Sequence, residues 1–277
     1  MDALKLTQHP EKIILVPSCD KYADLWKPFF AFRDKFWNDP SSRFYLSVNT
    51  SHFTHAGVEV IKTGPSSNWS DELKIALGQV PGNYFLLVLE DYFIYQPVDN
   101  RIIERLFKIA EDENADFLRL GCFPSRYNSY WPYTPLPRYQ DLAEIKPGAK
   151  YRVNLQVAIW KKQSLLDLVV SGETPWEFEI NASERANRKK FKALCVIEEK
   201  GKNGIHGPLV YIGGAITKGK WMLDALRLAK QNKIRLDLSH RLVETKKEEV
   251  LRKLYVSTPL FIRPAYRYVM NKLQVKW

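Results

Sequence analysis

Cysteine is scarce. The 277 residues hold three, Cys19, Cys122 and Cys195, an odd number with no CxxC pair and no Cys/His cluster. That argues against a disulfide framework or a structural zinc site and for a reducing compartment. Long hydrophobic runs are missing as well: no uninterrupted apolar stretch approaches the roughly 20 residues of a bilayer-spanning helix. Residues 1–10 are polar, unlike the apolar stretch of a secretory signal, so a cytoplasmic location is expected. Neither G-x-G-x-x-G nor a P-loop lysine motif occurs, which removes the usual dinucleotide and ATP phosphate cradles. The G-x-S-x-G elbow of serine hydrolases is absent too. There is no internal repeat and no low-complexity tract.

Apolar and aromatic residues are plentiful: 45% of the chain is hydrophobic, with 8 Trp, 14 Tyr and 14 Phe. This is enough for one large domain, or one domain with an appendage, and it suits a cleft that stacks flat bases or sugars as well as it suits a core. The net charge of +11 is uneven. Residues 1–150 carry 17 Lys+Arg against 19 Asp+Glu, and residues 151–277 carry 25 against 12. A basic second half fits a phosphorylated ligand, an anionic membrane surface or nucleic acid.

Short apolar runs alternate with helical patterns. Residues 12–17 (KIILVP), 43–49, 57–62, 84–89 (YFLLVL), 115–120, 153–160 and 193–198 read as strands. Residues 22–37, 69–77, 99–111, 163–171, 175–187, 220–231 and 246–254 read as helices, with Ser70 a candidate N-cap for the second. Residues 121–148, crowded with proline and tyrosine, read as a long irregular segment of the functional kind. The alternation predicts an α/β fold, a single domain with a mostly parallel central sheet flanked by helices. A division is expected at residue 240, with 241–277 a basic helical C-terminal extension.

Three groups of residues can carry chemistry. Glu90 and Asp91 end the strongest strand, at the edge where α/β sheets bind ligands; adjacent carboxylates there hold a divalent cation against a diphosphate, or accept hydrogen bonds from a ribose. In Thr174-Pro175-Trp176-Glu177-Phe178-Glu179, threonine, proline and Glu177 spell a capping box. A carboxylate there can equally take a proton from an acceptor hydroxyl, so capping and catalysis compete for Glu177, with Glu179 in reserve. Trp176 offers an apolar platform to a sugar, and Tyr130 and Trp131 of the irregular segment are further acceptor-side candidates. His206 lies in a loop between Gly204 and Gly207 and could ligate a metal or touch a phosphate. Ser18, Cys19 and Asp20 end the first strand, where a nucleotide base or ribose is held.

The order of these features resembles that of GT-A-fold glycosyltransferases, over residues 12–221. Ser18-Cys19-Asp20-Lys21-Tyr22 followed by Asp24-Leu25-Trp26 is similar to the opening of bacterial capsule and lipopolysaccharide transferases, with Tyr22 on the donor side. Leu89-Glu90-Asp91-Tyr92 falls where the fold carries its Asp-x-Asp motif, but reads Glu-Asp-Tyr. Thr174-Pro175-Trp176-Glu177 resembles the acceptor-helix start of inverting members, whose Glu is the base. The resemblance implies a nucleotide-sugar donor bound near Glu90, Asp91 and Tyr92, and a single displacement. It also implies manganese or magnesium, with Asp91 and His206 as ligands, and a glycan or lipid-linked glycan acceptor. Residues 254–277 mix aromatic and aliphatic residues with Arg263, Arg267, Lys272 and Lys276. They read as a segment able to lie on the anionic inner-membrane surface. Two rivals are weaker. A sugar nucleotidyltransferase needs a glycine- and lysine/arginine-rich signature early on, and residues 12–30 hold no glycine. A basic nucleic-acid-binding protein leaves the acid pair unexplained and has no recognised motif here.

Overall fold

A computed structural model describes residues 12–65, 67–120, 132–197 and 207–257. The chain forms two units. The first, Met1–Tyr211, contains β1 (Lys12–Val16), a 3-10 turn (Asp20–Tyr22), α1 (Ala23–Phe36), β2 (Ser42–Val48), β3 (Val58–Lys62), α2 (Trp69–Gln79), β4 (Tyr84–Leu87), α3 (Asn100–Asp112), β5 (Phe117–Arg119), β6 (Tyr133–Leu136), β7 (Tyr139–Ile145), β8 (Ala158–Lys161), α4 (Lys162–Leu166), α5 (Pro175–Asn187) and β9 (Ala193–Val196). The second, Ile212–Trp277, contains β10 (Ile216–Thr217), β11 (Lys220–Trp221), α6 (Leu223–Asn232) and α7 (Lys246–Ser257).

The first unit is an α/β fold on one mixed sheet, in the order β3-β2-β1-β4-β8-β5-β9-β7-β6. Pairings β1–β2, β2–β3, β1–β4 and β5–β9 are parallel, and the other four are antiparallel, so all strands but β7 and β8 run one way. Burial on both faces explains the unbroken apolar runs of the central strands. Ile13, Leu15, Phe85, Leu87, Phe117 and Trp160 pack against Leu73 and Leu77 of α2, Leu165 of α4, and Phe178, Ala182 and Ala186 of α5. The alternate residues Ile14, Val16, Phe44, Leu86 and Ile159 are also buried, on the opposite face. There Phe30 of α1 meets Phe44 edge to face at 6.3 Å.

Three local expectations change. The second helix is capped by Asn68, whose side chain accepts from Asp71 N, and Ser70 is its second residue. The segment read as irregular contains the β6–β7 hairpin, bulged between Pro135 and Leu136. Pro135 is tolerated because β6 is the edge strand of the sheet among the described residues. The run 153–160 is a strand only from Ala158. Before that, backbone donors turn to α5: Val153 N to Ser183 Oγ at 3.2 Å and Leu155 N to Glu179 Oε1 at 2.9 Å.

Parallel β1, β2 and β4 all end at one sheet edge, and antiparallel β8 begins there. The first two exits are tied by one carboxylate. Asp20 accepts from Asn49 N at 2.9 Å, Thr50 N at 3.1 Å, Thr50 Oγ1 at 3.0 Å and Ser51 N at 3.1 Å. Its own N–H donates to Asn49 Oδ1 at 2.9 Å. Burial pushes the Asp20 carboxyl up, but the donors from Thr50, Ser51 and Asn49 outweigh it and hold it below the usual carboxylate range. Asp20→Ala is expected to cost about 2 kcal/mol, since backbone donors lose an ionised acceptor. The readout is a lower urea midpoint at unchanged slope. Because the folded value is the depressed one, this contribution is complete above about pH 4 and is lost as pH falls through it. The deficit of Asp20→Ala should therefore shrink in strong acid; an equal midpoint for both proteins at neutral pH would refute the clamp.

Candidate active site

Beyond Leu87 the ladder continues for one bond, Val88 N to Leu15 O at 3.1 Å, and the chain then turns, closed by Tyr92 N to Leu89 O at 3.1 Å. Glu90 and Asp91 occupy that turn, Glu90 buried at 8% exposure and Asp91 half-buried. Tyr92 follows and stacks on Tyr211, centroids 4.8 Å apart. An antiparallel bridge between Ile94 and Tyr211, and Tyr95 N to Val210 O at 3.0 Å, stitch residues 210–211 onto the segment after the acids. The Tyr211 hydroxyl reaches Gln156 Oε1 at 3.4 Å, just before β8.

The second acidic contribution comes from α5, a helix fixed at both ends. At its start Thr174 and Glu177 form a reciprocal capping box. Glu173 accepts from Asn181 Nδ2 and, through both oxygens, from Arg185. At its end the buried Arg152 donates to Ala186 O at 3.1 Å and to Phe191 O at 2.6 Å. A cation at a helix C-terminus also meets the negative end of the helix dipole. Phe178, Ala182 and Ala186 fill the core. That orientation turns the next side chain, Glu179, to the sheet edge, where its Oε1 accepts from Leu155 N.

Burial and charge perturb several of these groups. The Tyr92 hydroxyl is pushed well above its usual value, first by burial and then by Tyr211, Asp91, Glu179 and Glu90. Burial also raises the half-exposed Cys19 thiol, followed by the charges of Glu90 and, more weakly, Glu72. Burial raises Glu179 above the ordinary glutamate range, and the Leu155 N–H opposes it. Cys19 follows β1, Glu90, Asp91 and Tyr92 follow β4, Tyr211 stacks on Tyr92, and Glu179 bonds Leu155 N just before β8. Perturbed titratable groups converging at the carboxyl ends of strands are the physical mark of a binding or catalytic site in this architecture.

Glu177 lies elsewhere in role. Its Oε2 accepts from Thr174 N at 2.9 Å and Thr174 Oγ1 at 2.8 Å, its side chain is exposed, and these bonds lower its pKa. Of the two functions that compete for it, the cap holds the side chain. Trp176 is 72% exposed beside it. On the donor side, Ser18 N donates to Ser47 Oγ at 3.1 Å and Ser18 Oγ accepts from Trp26 Nε1 at 2.8 Å. With Asp20 clamped as well, both side chains shape the edge and leave Cys19 at its surface. Tyr22 is half-buried where α1 begins. Tyr130, Trp131 and His206 lie outside the described residues. Among the described residues no group of three or more His, Cys, Asp or Glu is placed to hold a metal.

Sequence reasoning missed Glu72, Gln156 and Tyr211. Glu72 is buried in the first turn of α2, accepts from Ser67 N at 3.1 Å and acts on Cys19. In sequence it reads as an ordinary first-turn acid. Tyr211 is brought in by a pairing with residue 94 that no local pattern announces.

No protein-family model and no curated protein sequence matches the chain. Distant likenesses exist among solved structures. Residues 1–349 of S. aureus TarS match at 10% identity and a TM-score of 0.45, over 69% of this chain and 58% of that one. A mannosyltransferase from Pyrobaculum calidifontis in complex with GDP-Man and Mn2+ matches at 13% identity and 0.47, over 77% and 59%. An apo UDP-glucose pyrophosphorylase matches at 8% identity and 0.45, over 67% and 90%. The chain is thus distantly similar in backbone to glycosyltransferases and to a nucleotidyltransferase alike.

Proposed function

We propose that this chain is a glycosyltransferase that moves a sugar from a nucleotide-sugar donor to an acceptor hydroxyl, with inversion, in the assembly of a surface polysaccharide of the capsule or lipopolysaccharide kind. One observation carries the reading: Glu90 and Asp91 occupy the turn that follows β4, and Glu179 of α5 accepts from Leu155 N just before β8, the strand paired with β4. A single displacement needs a base for the attacking hydroxyl and a cation or hydrogen-bond donors for the leaving diphosphate, and carboxylates can serve as the base and as holders of the cation.

Glu179 is the proton acceptor in this reading. Its raised pKa suits a general base better than the depressed value of the capping Glu177. The Leu155 N–H fixes one of its oxygens and so aims the other. The acceptor O–H bond breaks with the proton passing to Glu179, the oxygen bonds to the anomeric carbon, and the bond from that carbon to the diphosphate oxygen breaks. The diphosphate keeps the electron pair and leaves as nucleoside diphosphate. Ser18, Cys19, Asp20 and Tyr22 border the donor, and Trp176 and the segment of Tyr130 and Trp131 serve the acceptor, a glycan or lipid-linked glycan. Glu90 and Asp91 are two adjacent oxygen ligands. That is too few for a resident metal cage but fits magnesium or manganese arriving with the donor, since such ions take one or two carboxylates and complete their shell with phosphate and water. When bound, the cation neutralises the leaving diphosphate.

A thermal-shift screen of UDP- and GDP-sugars with and without manganese tests the donor. A specific donor at a hundred times its Kd stabilises by about 2.7 kcal/mol. Asp91→Asn is expected to abolish that response. A response to nucleoside triphosphates with release of pyrophosphate would instead make the chain a nucleotidyltransferase.

Glu179→Gln should keep the donor response while turnover falls at least about 100-fold, whereas Glu177→Gln should keep turnover and lower the melting temperature. Full turnover in Glu179→Gln rejects it as the base. Because the base must be ionised and its folded value is raised, kcat/KM should decline on the acid side from a pH above the ordinary glutamate value. A pH profile flat down to that value contradicts the assignment.

A further inference from the structure

The ordinary amphipathic pattern is present in α3, where Ile103, Leu106, Phe107, Ile109 and Ala110 are buried. α7 inverts it. Its buried side chain is Glu249, while Val250 and Leu254 are 55% and 51% exposed and Leu251 is half-buried. Val250 and Leu254 are four apart, so they share one face. Charge fastens the helix to its own unit. Arg227 and Lys253 pair with Glu249, Arg252 with Asp224 and Glu244, and Lys220 with Glu248. A helix that buries its acid and shows its aliphatic side chains has the polarity of a surface meant to be covered by something apolar.

The surrounding charge narrows what that is. Residues 212–277 carry 15 Lys+Arg and 5 Asp+Glu, a net +10 of the chain's +11. Four of the five acids, Asp224, Glu244, Glu248 and Glu249, are in the ion pairs above, and Asp237 accepts from Ser239 N and Oγ. Two further large apolar side chains, Leu238 and Leu242, are 45% and 74% exposed. No helix of the described residues is long and apolar enough to cross a membrane. A second copy of the chain would bring +10 against +10, which opposes close approach. Nucleic acid would satisfy the charge but leave the aliphatic face without use.

We propose that the α7 face bearing Val250 and Leu254 lies on the surface of an anionic lipid bilayer. The aliphatic side chains enter the headgroup boundary while the lysines and arginines of the unit meet anionic lipid, each worth about 1 kcal/mol near the surface. Residues 258–277 continue the same mixture, with Phe261, Tyr266 and Trp277 among Arg263, Arg267, Lys272 and Lys276. This inference does not rest on the transferase reading.

The full-length chain is co-sedimented with vesicles of phosphatidylcholine alone and of phosphatidylcholine mixed with phosphatidylglycerol. Binding is expected only to the mixed vesicles. V250E/L254E should lower the partition coefficient at least about tenfold, as loss of two buried aliphatic side chains requires. V250S/L254S, which adds no charge, should fall in the same direction by less. Both sites are exposed, so circular dichroism and any donor-induced thermal shift should match those of the parent protein. Equal binding by the serine variant, or equal binding to both kinds of vesicle, overturns the proposal. So does a parent protein that light scattering shows to be a dimer and that the same substitutions turn into a monomer, since the face then belongs to a second copy.

Discussion

The candidate site depends on an ionised carboxylate that takes no part in the proposed chemistry. Two parallel strands leaving a sheet side by side have no reason to hold their exit loops together, because the ladder ends with them. Asp20 supplies that reason. It gathers three consecutive backbone donors and a hydroxyl from residues 49–51 onto one side chain, and its own N–H is returned to Asn49. The loop after β1 then presents Cys19 at a fixed place beside the turn that carries Glu90. Ser18 repeats the logic one step back, bonded to Ser47 and to Trp26. Ser18 and Asp20 thereby hold the exits of β1 and β2 together. Pre-organisation of a charged site requires such support, since side chains free to relax would turn away from one another and toward water.

The same division of labour separates Glu177 from Glu179. They are two residues apart on one helix, so they cannot share a face. The capping box claims Glu177, and the core residues Phe178 and Ala182 fix the rotation of the helix. Glu179 is left pointing at the start of β8, where Leu155 offers a backbone N–H because that stretch has not yet joined the sheet. The N–H that would have extended β8 is what orients the carboxylate. Arg152, buried and donating to the Ala186 carbonyl and to Asn187 Oδ1 of α5, secures the other end.

These relations explain what the sequence could disclose. The α/β class followed from apolar runs of strand length separated by helical patterns. The bounds of α5 followed from Thr174, Pro175 and Glu177, because capping is local chemistry. The acid pair was visible because two carboxylates do not belong inside a doubly buried strand. The β6–β7 hairpin was hidden by Pro135 and Pro137, residues that signal a break unless the strand is known to lie at an edge. Residues 153–157 imitated a strand because burial alone produces an apolar run, whether the backbone bonds to a ladder or to a helix. The orientation of Glu179 toward Leu155 was not legible, since it depends on how the helix packs, and Tyr211 was not legible, since its contact with Tyr92 spans more than a hundred residues.

Charge is arranged so that two opposed requirements do not meet in one unit. Residues 1–211 carry 27 Lys+Arg against 26 Asp+Glu, close to neutral, and within them the sheet edge concentrates Glu72, Glu90, Asp91 and Glu179. A cluster of this sign, partly buried, favours proton acceptance and cation binding and disfavours bare phosphate. A strongly basic first unit would undo this, because nearby lysines would lower the proton affinity of Glu179 and compete with a cation for Glu90 and Asp91. Adhesion to an anionic surface needs the reverse, a dense positive field with some aliphatic area. That field resides in residues 212–277, where four of the five acids are paired within the unit and α7 turns Val250 and Leu254 outward.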